Sequence, residues 1–233
     1  MLWQSMQQLG IGIGLCLLAA TSSAETTIIS LDDQPQWNAV GRVNKAGFRT
    51  TGACTGTLVA PDLVLTAAHC TPPNGVVALI ADYTFVAGWN RGEYAASSPF
   101  AEVYLRPDHE HGPLTTDRLA TDAALVRLSE PIPPELVTPM TFGRVPDAPL
   151  GFVGYRNGRL HAPEKTTGCA HQTPLPDVIQ FACPVVSGNS GSPLIDFAPL
   201  GPRIVGVVSA QSGQTGLAVG LQDWMREYLP DAW

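Results

Sequence analysis

The 233-residue chain is poor in charge and in aromatic side chains: Asp, Glu, Lys and Arg make up 14% of it and Phe, Trp and Tyr 7%. No Lys- or Arg-rich run occurs, and 20 acidic against 13 basic residues leave a formal net charge of −7. A protein of that sign repels phosphate backbones, which excludes nucleic acid as a partner. Beyond the first 30 positions no apolar window reaches the roughly 18 residues of a membrane-spanning helix. Disorder is excluded too, because 45% of the residues are hydrophobic. Turn formers are abundant, with 23 glycines and 21 prolines but no three-residue glycine period. That excludes collagen and favours an all-β chain with many turns.

The N-terminus reads as an address. Leu9 to Ala20 (LGIGIGLCLLAA) is an apolar run too short to span a membrane, and Ser22 and Ala24 stand at the −3 and −1 positions of a cleavage site. Residues 1–24 are therefore expected to be a signal peptide, leaving 25–233 secreted or periplasmic and free of the membrane. Leu15 is too bulky for Cys16 to be a lipidation site. The remaining cysteines, Cys54, Cys70, Cys169 and Cys183, are even in number, which in an exported chain implies two disulfides. Three pairings are open; the simplest joins the near neighbours, each bond stapling one half of the chain.

Glu25 to Pro35 is polar and reads as an extended arm. Short runs rich in β-branched and aromatic residues follow: WNAVGRV, CTGTLVA, LVLTA, VVALI, YTFVA, EVYLR and AALVRL. Pro131 to Pro139 (PIPPELVTP) is too rich in proline for a strand and reads as a stiff linker. A second set comprises LGFVGYR, VIQFAC, SPLIDF, RIVGVVSA and GLAVGL. Only LQDWMREYL places its apolar residues at helical spacing, with Trp224 and Tyr228 as packing residues and Pro230 as the stop. The expected boundaries are a first β unit at about 36–130, a linker at 131–140, a second unit at about 141–220 and a C-terminal helix at about 221–229.

Three strings carry chemistry. In TAAHC, Thr66 to Cys70, His69 follows an apolar strand and precedes a cysteine. In TDAALVRL, Thr121 to Leu128, Asp122 stands at the mouth of a buried strand, where a carboxylate needs donors. In SGNSGSP, Ser187 to Pro193, glycines around Ser190 permit a sharp turn with backbone N–H groups free. Each alone is unremarkable. Together they supply a nucleophile, a base to activate it and a carboxylate to orient the base. Asp117 competes with Asp122 but is followed by Arg118, not by an apolar strand. In PDHEH, Asp108, His109, Glu110 and His111 are adjacent residues that do not all point one way, so a solvated loop is expected and no metal site.

These strings resemble the catalytic segments of the chymotrypsin-like (trypsin-like) serine proteases, in that family's order of His, Asp, Ser. The similarity runs from about Trp37 to Leu229. The form GNSGSP is more like that of bacterial members, glutamyl endopeptidases included. The resemblance implies two six-stranded Greek-key β-barrels with a C-terminal α-helix and the site in the cleft between the barrels. It implies His69 as general base and then acid, Asp122 as its orienter, and Ser190 as the acylated nucleophile. The N–H groups of Gly188 and Ser190 would form the oxyanion hole, and Cys54–Cys70 would be the disulfide behind the histidine. The reading is a secreted serine endopeptidase acting on protein or peptide substrates, without a cofactor and as a monomer. The alternatives are a non-catalytic binding module of the same fold and an esterase using the same triad.

Two departures shape the expectations. Asn189 stands where many members have the Asp that pairs with a newly cut N-terminus, so signal removal alone is expected to give an active site. The base of the specificity pocket carries Pro184 instead of an acid, and Val208 precedes Ser209, the expected wall serine. With Val185 and Gly216 completing it, this pocket suits an apolar or small side chain.

Overall fold

The computed structural model describes residues 24–47, 53–73 and 77–229, so the expected signal segment lies outside the described residues except for its last position. After β1 (Glu25–Ile28), the first half of the chain supplies β2 (Val40–Lys45), β3 (Ala53–Ala60), β4 (Leu63–Thr66), β5 (Tyr83–Ala87), β6 (Ala96–Leu105) and β7 (Ala124–Leu128). These six close into a barrel in the order β2-β3-β4-β7-β6-β5. Alternation along the strands turns Val43, Leu58, Val64, Phe85, Phe100 and Val126 into one core. Burying each such side chain contributes about 1.5–3 kcal/mol.

The second half supplies β8 (Thr141–Phe142), β9 (Leu150–Arg156), β10 (Arg159–Cys169), β11 (His171–Leu175), β12 (Val178–Phe181), β13 (Pro193–Asp196), β14 (Arg203–Ser212) and β15 (Thr215–Gly220). They form a nine-stranded sheet in the order β1-β10-β9-β13-β14-β15-β12-β11, with β8 beside β14. The expected second six-stranded unit is therefore larger. Six strands, β9, β10 and β12 to β15, are extended by β8, β11 and the N-terminal arm, whose residues pair with β10 from Glu25 opposite Thr167 to Ile28 opposite Glu164. Between the halves, 131–140 forms no strand. Ile132 and Val137 anchor it in the first core.

Of the segments that differ from expectation, three have a clear physical cause. VVALI is not a strand; Val77–Asp82 is a 3-10 helix. The strand after it, β5, already pairs with β2 on one side and β6 on the other, so the closed barrel leaves no edge for a seventh strand. Strand β10 was not anticipated because its sequence, RLHAPEKTTGC, neither alternates nor avoids proline. Pro163 falls where the β9–β10 register shifts, one of the few places a sheet tolerates proline. The C-terminal α-helix is instead a 3-10 helix over Asp223–Glu227. Gln222 is held extended, its amide donating to the Ala120 carbonyl at 2.6 Å, and Pro230 restricts Leu229, so the helical segment is confined between them. Its packing is as expected: Met225 and Leu229 are buried among Leu65 and Leu125 of the first half and Ile204 and Val219 of the second. That shared cluster holds the two halves together.

Candidate active site

Strand β4 ends at Thr66, and a single 3-10 turn over Ala68–Cys70 lifts His69 out of the barrel. The turn is fixed at both ends: Thr71 Oγ1 donates to the Ala68 carbonyl at 2.7 Å, and Cys70 is bonded to Cys54 on β3. The other expected pair, Cys169–Cys183, is also formed. Asp122 emerges just before β7, after a short helix α1 (Thr116–Leu119), and is completely buried. Its carboxylate accepts from the His69 backbone N–H at 2.9 Å, from His69 Nδ1 at 2.7 Å, and from the Ser209 hydroxyl. Three donors satisfy a carboxylate removed from water. A carboxylate can only accept, so Nδ1 carries the imidazole hydrogen and Nε2 is left as the lone-pair nitrogen on the exposed side.

Ser190 sits in the turn between β12 and β13, and the turn is laid directly against the strands that carry His69. Ser190 O accepts from Thr55 N at 2.8 Å, and the Thr55 hydroxyl donates to the Gly188 carbonyl at 3.0 Å. Contact at Gly191 is so close that a Cβ there would stand 2.0 Å from the Thr55 carbonyl oxygen, and its φ of +82° also demands glycine. The Ser190 hydroxyl donates to the Ser209 carbonyl at 3.3 Å, and its hydrogen bond to His69 is not formed in this structure.

Two peptide planes of the turn are pinned by their carbonyls. Ser187 O accepts from Asn157 N at 2.7 Å, and Asn189 O accepts from Ser192 N at 2.9 Å. Because a trans peptide points its N–H opposite its C=O, these bonds fix the N–H groups of Gly188 and Ser190. Neither has a hydrogen-bond partner among the described residues. Asn189 satisfies itself locally: Oδ1 accepts from Val186 N and Nδ2 donates to the Tyr155 carbonyl, both at 2.9 Å. Tyr155 is buried, which pushes its phenol well above the usual range, so it serves as a neutral donor to the Trp89 carbonyl at 2.6 Å.

The expected pocket residues fall as follows. Pro184 is exposed, Val185 is buried, and Gly216 lies opposite Phe181 with no room for a Cβ between Phe181 and Val185. Ser209 is buried with its hydroxyl on Asp122, so it contributes to the carboxylate's shell and not a hydroxyl to a pocket wall. Asp117 is exposed on α1, and the carboxylate on His69 is that of Asp122. In the PDHEH loop Asp108 is paired with Arg106 and Glu110 with Arg118, and the rings of His109 and His111 meet edge to face. Burial, and then the neighbouring His109, lower the pKa of His111. Cys54, His69 and Cys70 bring donor atoms within 4.8 Å of one another, but both sulfurs are spent in the disulfide. Sequence reasoning missed Thr55, Thr66 and Asn157; Thr55 and Thr66 are fully buried on β3 and β4, and a hydroxyl residue inside a run that reads as a buried strand is the signal that could have found them.

The fold is shared with known proteins. A solved structure described as "Structure of Glu endopeptidase in complex with MPD" superposes with a TM-score of 0.68 at 20% identity, over 88% of this chain and 94% of that one. At that identity the likeness establishes the chymotrypsin-like fold alone. Comparison with curated proteins by sequence gives no match. The model of the family described as "Trypsin-like peptidase domain" matches residues 54–207, a span that opens at the cysteine bonded beside His69 and closes just past the Ser190 turn. By that match the chain belongs to the trypsin-like peptidase family.

Proposed function

We propose that the protein is an exported serine endopeptidase that cleaves peptide bonds through an acyl-enzyme, with a signal peptide at 1–24 and one peptidase domain at 25–233. The observation that carries this reading is the Asp122 carboxylate. Buried and triply hydrogen-bonded, it grips both the backbone and the ring of His69 and thereby sets the tautomer a base requires. The two disulfides support an oxidising compartment.

The steps follow from the geometry. On substrate binding the Ser190 hydroxyl leaves the Ser209 carbonyl for His69 Nε2, a tightening typical of catalytic hydrogen bonds that are long or misaligned without substrate. Nε2 takes the proton as Oγ attacks the scissile carbonyl carbon. The resulting oxyanion lies where the fixed N–H groups of Gly188 and Ser190 are free to donate; removing one such donor typically lowers kcat by roughly 100- to 1000-fold. Asp122 stabilises the imidazolium, which returns the proton to the leaving amine. Water then attacks the ester by the same route, and Ser190 is regenerated. Pro184, Val185 and Gly216 favour a small or apolar residue on the acyl side of the cleaved bond.

A fluorophosphonate probe tests the assignment. The mature protein is expected to be labelled once per chain, and Ser190→Ala to be unlabelled. Labelling that persists in Ser190→Ala overturns the nucleophile. Cleavage of small esters without cleavage inside any protein substrate overturns the endopeptidase reading.

A further inference from the structure

Residues 155–157 form the floor on which the turn at 187–190 rests. The Tyr155 carbonyl accepts from Asn189 Nδ2 at 2.9 Å. Asn157 donates twice to Ser187, from its backbone N–H to the carbonyl and from Nδ2 to the hydroxyl, each at 2.7 Å. Arg156 is packed against Gly188 so closely that a Cβ on Gly188 would stand 2.8 Å from Arg156 Cα. Where this floor lies decides where the Gly188 N–H points.

The floor is the end of a hairpin, since β9 stops at Arg156 and β10 starts at Arg159. Hairpin ends fray readily. This one is tied from beneath by Glu164, which stands on β10 opposite Gly154 and is only 8% exposed. Its carboxylate receives Arg156 Nε at 3.1 Å and Arg159 Nη1 at 2.6 Å. A carboxylate buried that far is stable only with such partners. Arg156, Arg159 and Glu164 also line a cavity of about 320 Å³, together with Val186 and Asn189 of the serine turn and Thr26 of β1.

We propose that Glu164 is a positioning residue: through Arg156 it fixes the segment 155–157 and so aims the Gly188 N–H at the developing oxyanion. The inference rests on the peptidase reading above. Arg156 transmits the effect, because its own backbone lies against Gly188; Arg159 has the shorter ion pair, but its backbone is not among the atoms that meet Gly188. Glu164 touches no substrate, and its contribution belongs to the transition state.

The test compares Glu164→Gln, Arg156→Gln and Arg159→Gln. The first two are expected to lower kcat by about tenfold or more, since an oxyanion donor is displaced. KM should stay within about twofold, because ground-state binding is untouched. A peptide aldehyde, whose adduct carries the oxyanion, should lose affinity by the same factor as kcat, while a product peptide binds unchanged. Arg159→Gln should alter kcat by less than about threefold despite losing the shorter pair. Equal kcat losses for both arginine variants, a rise in KM alone, or kcat losses that track melting temperature across the set would show a purely structural ion pair and overturn the proposal. Should Glu164→Gln fail to fold, Arg156→Lys against Arg159→Lys repeats the comparison with charge retained. A wild-type protein that the fluorophosphonate does not label overturns the peptidase reading and this one together. A labelled wild type with unaltered Glu164→Gln kinetics overturns only this one.

Discussion

Replacing the Asn189 amide by a carboxylate would remove one donor from the serine turn and add a charge to a site with almost no solvent. Asn189 is 4% exposed, and both ends of its amide are used: Oδ1 by Val186 N and Nδ2 by the Tyr155 carbonyl. Asp keeps the first bond, loses the second, and sets an oxygen against the Tyr155 carbonyl. An unsatisfied buried group costs about 1–3 kcal/mol, and a charged one more. Asn189→Asp is therefore expected to lower the denaturant midpoint and slow labelling of Ser190 together. Equal stability and equal labelling in the variant would mean that the amide is not what holds the turn. The identity of Asn189 is legible in the sequence, but its partner Tyr155 is not, because it lies 34 residues away on β9.

Among the elements, the β3–β4 hairpin carries the most function in the fewest residues. Cys54–Cys70 spans a separation of 16 and closes the loop whose last turn presents His69. In the chain-entropy account a loop of about 15 residues contributes on the order of 3 kcal/mol. The double variant Cys54→Ser with Cys70→Ser is expected to lose both melting temperature and kcat, since the same bond stabilises the barrel and holds the histidine turn. A variant that keeps both would show the bond to be idle. This hairpin is readable from CTGTLVA and LVLTA because both runs are rich in β-branched residues and Pro61 and Asp62 separate them. Strand β10 is unreadable because two register shifts against β9 let it carry Pro163 and Gly168 without a pattern. The 3-10 helix over Val77–Asp82 was misread for the opposite reason: its composition is strand-like, but the closed barrel has no edge to give it. Tertiary pairing, which no local window contains, made both decisions.

At the scale of the whole molecule the N-terminal arm bears on how the proposed activity is switched on. The segment expected to be an extended arm is extended from Glu25 to Ile28, and it is built into both halves. Its β1 pairs with β10 of the second sheet, Ile29 is buried beside Trp37, Val153 and Ile195, and Asn90 after β5 donates to the carbonyls of Ile29 and Ser30. An arm held on the flank by ladder bonds and a shared core is not laid across His69 and Ser190 as an inhibitor. Among the described residues the serine turn takes no hydrogen bond from it either: Asn189 is satisfied by Val186 and Tyr155, and the Gly188 and Ser190 N–H groups stand free with the arm in place. Removing residues 1–24 is accordingly expected to suffice for activity, with no second cut. Residues 25–233 made with one extra N-terminal residue should react with the active-site probe as fast as the chain beginning at Glu25. Cutting after Pro35 should slow the reaction and lower the melting temperature, because it removes β1 and the buried Ile29. If the extended protein stays silent and only the cut one reacts, the free N-terminus or the departure of the arm is the switch, and the turn is not self-supporting.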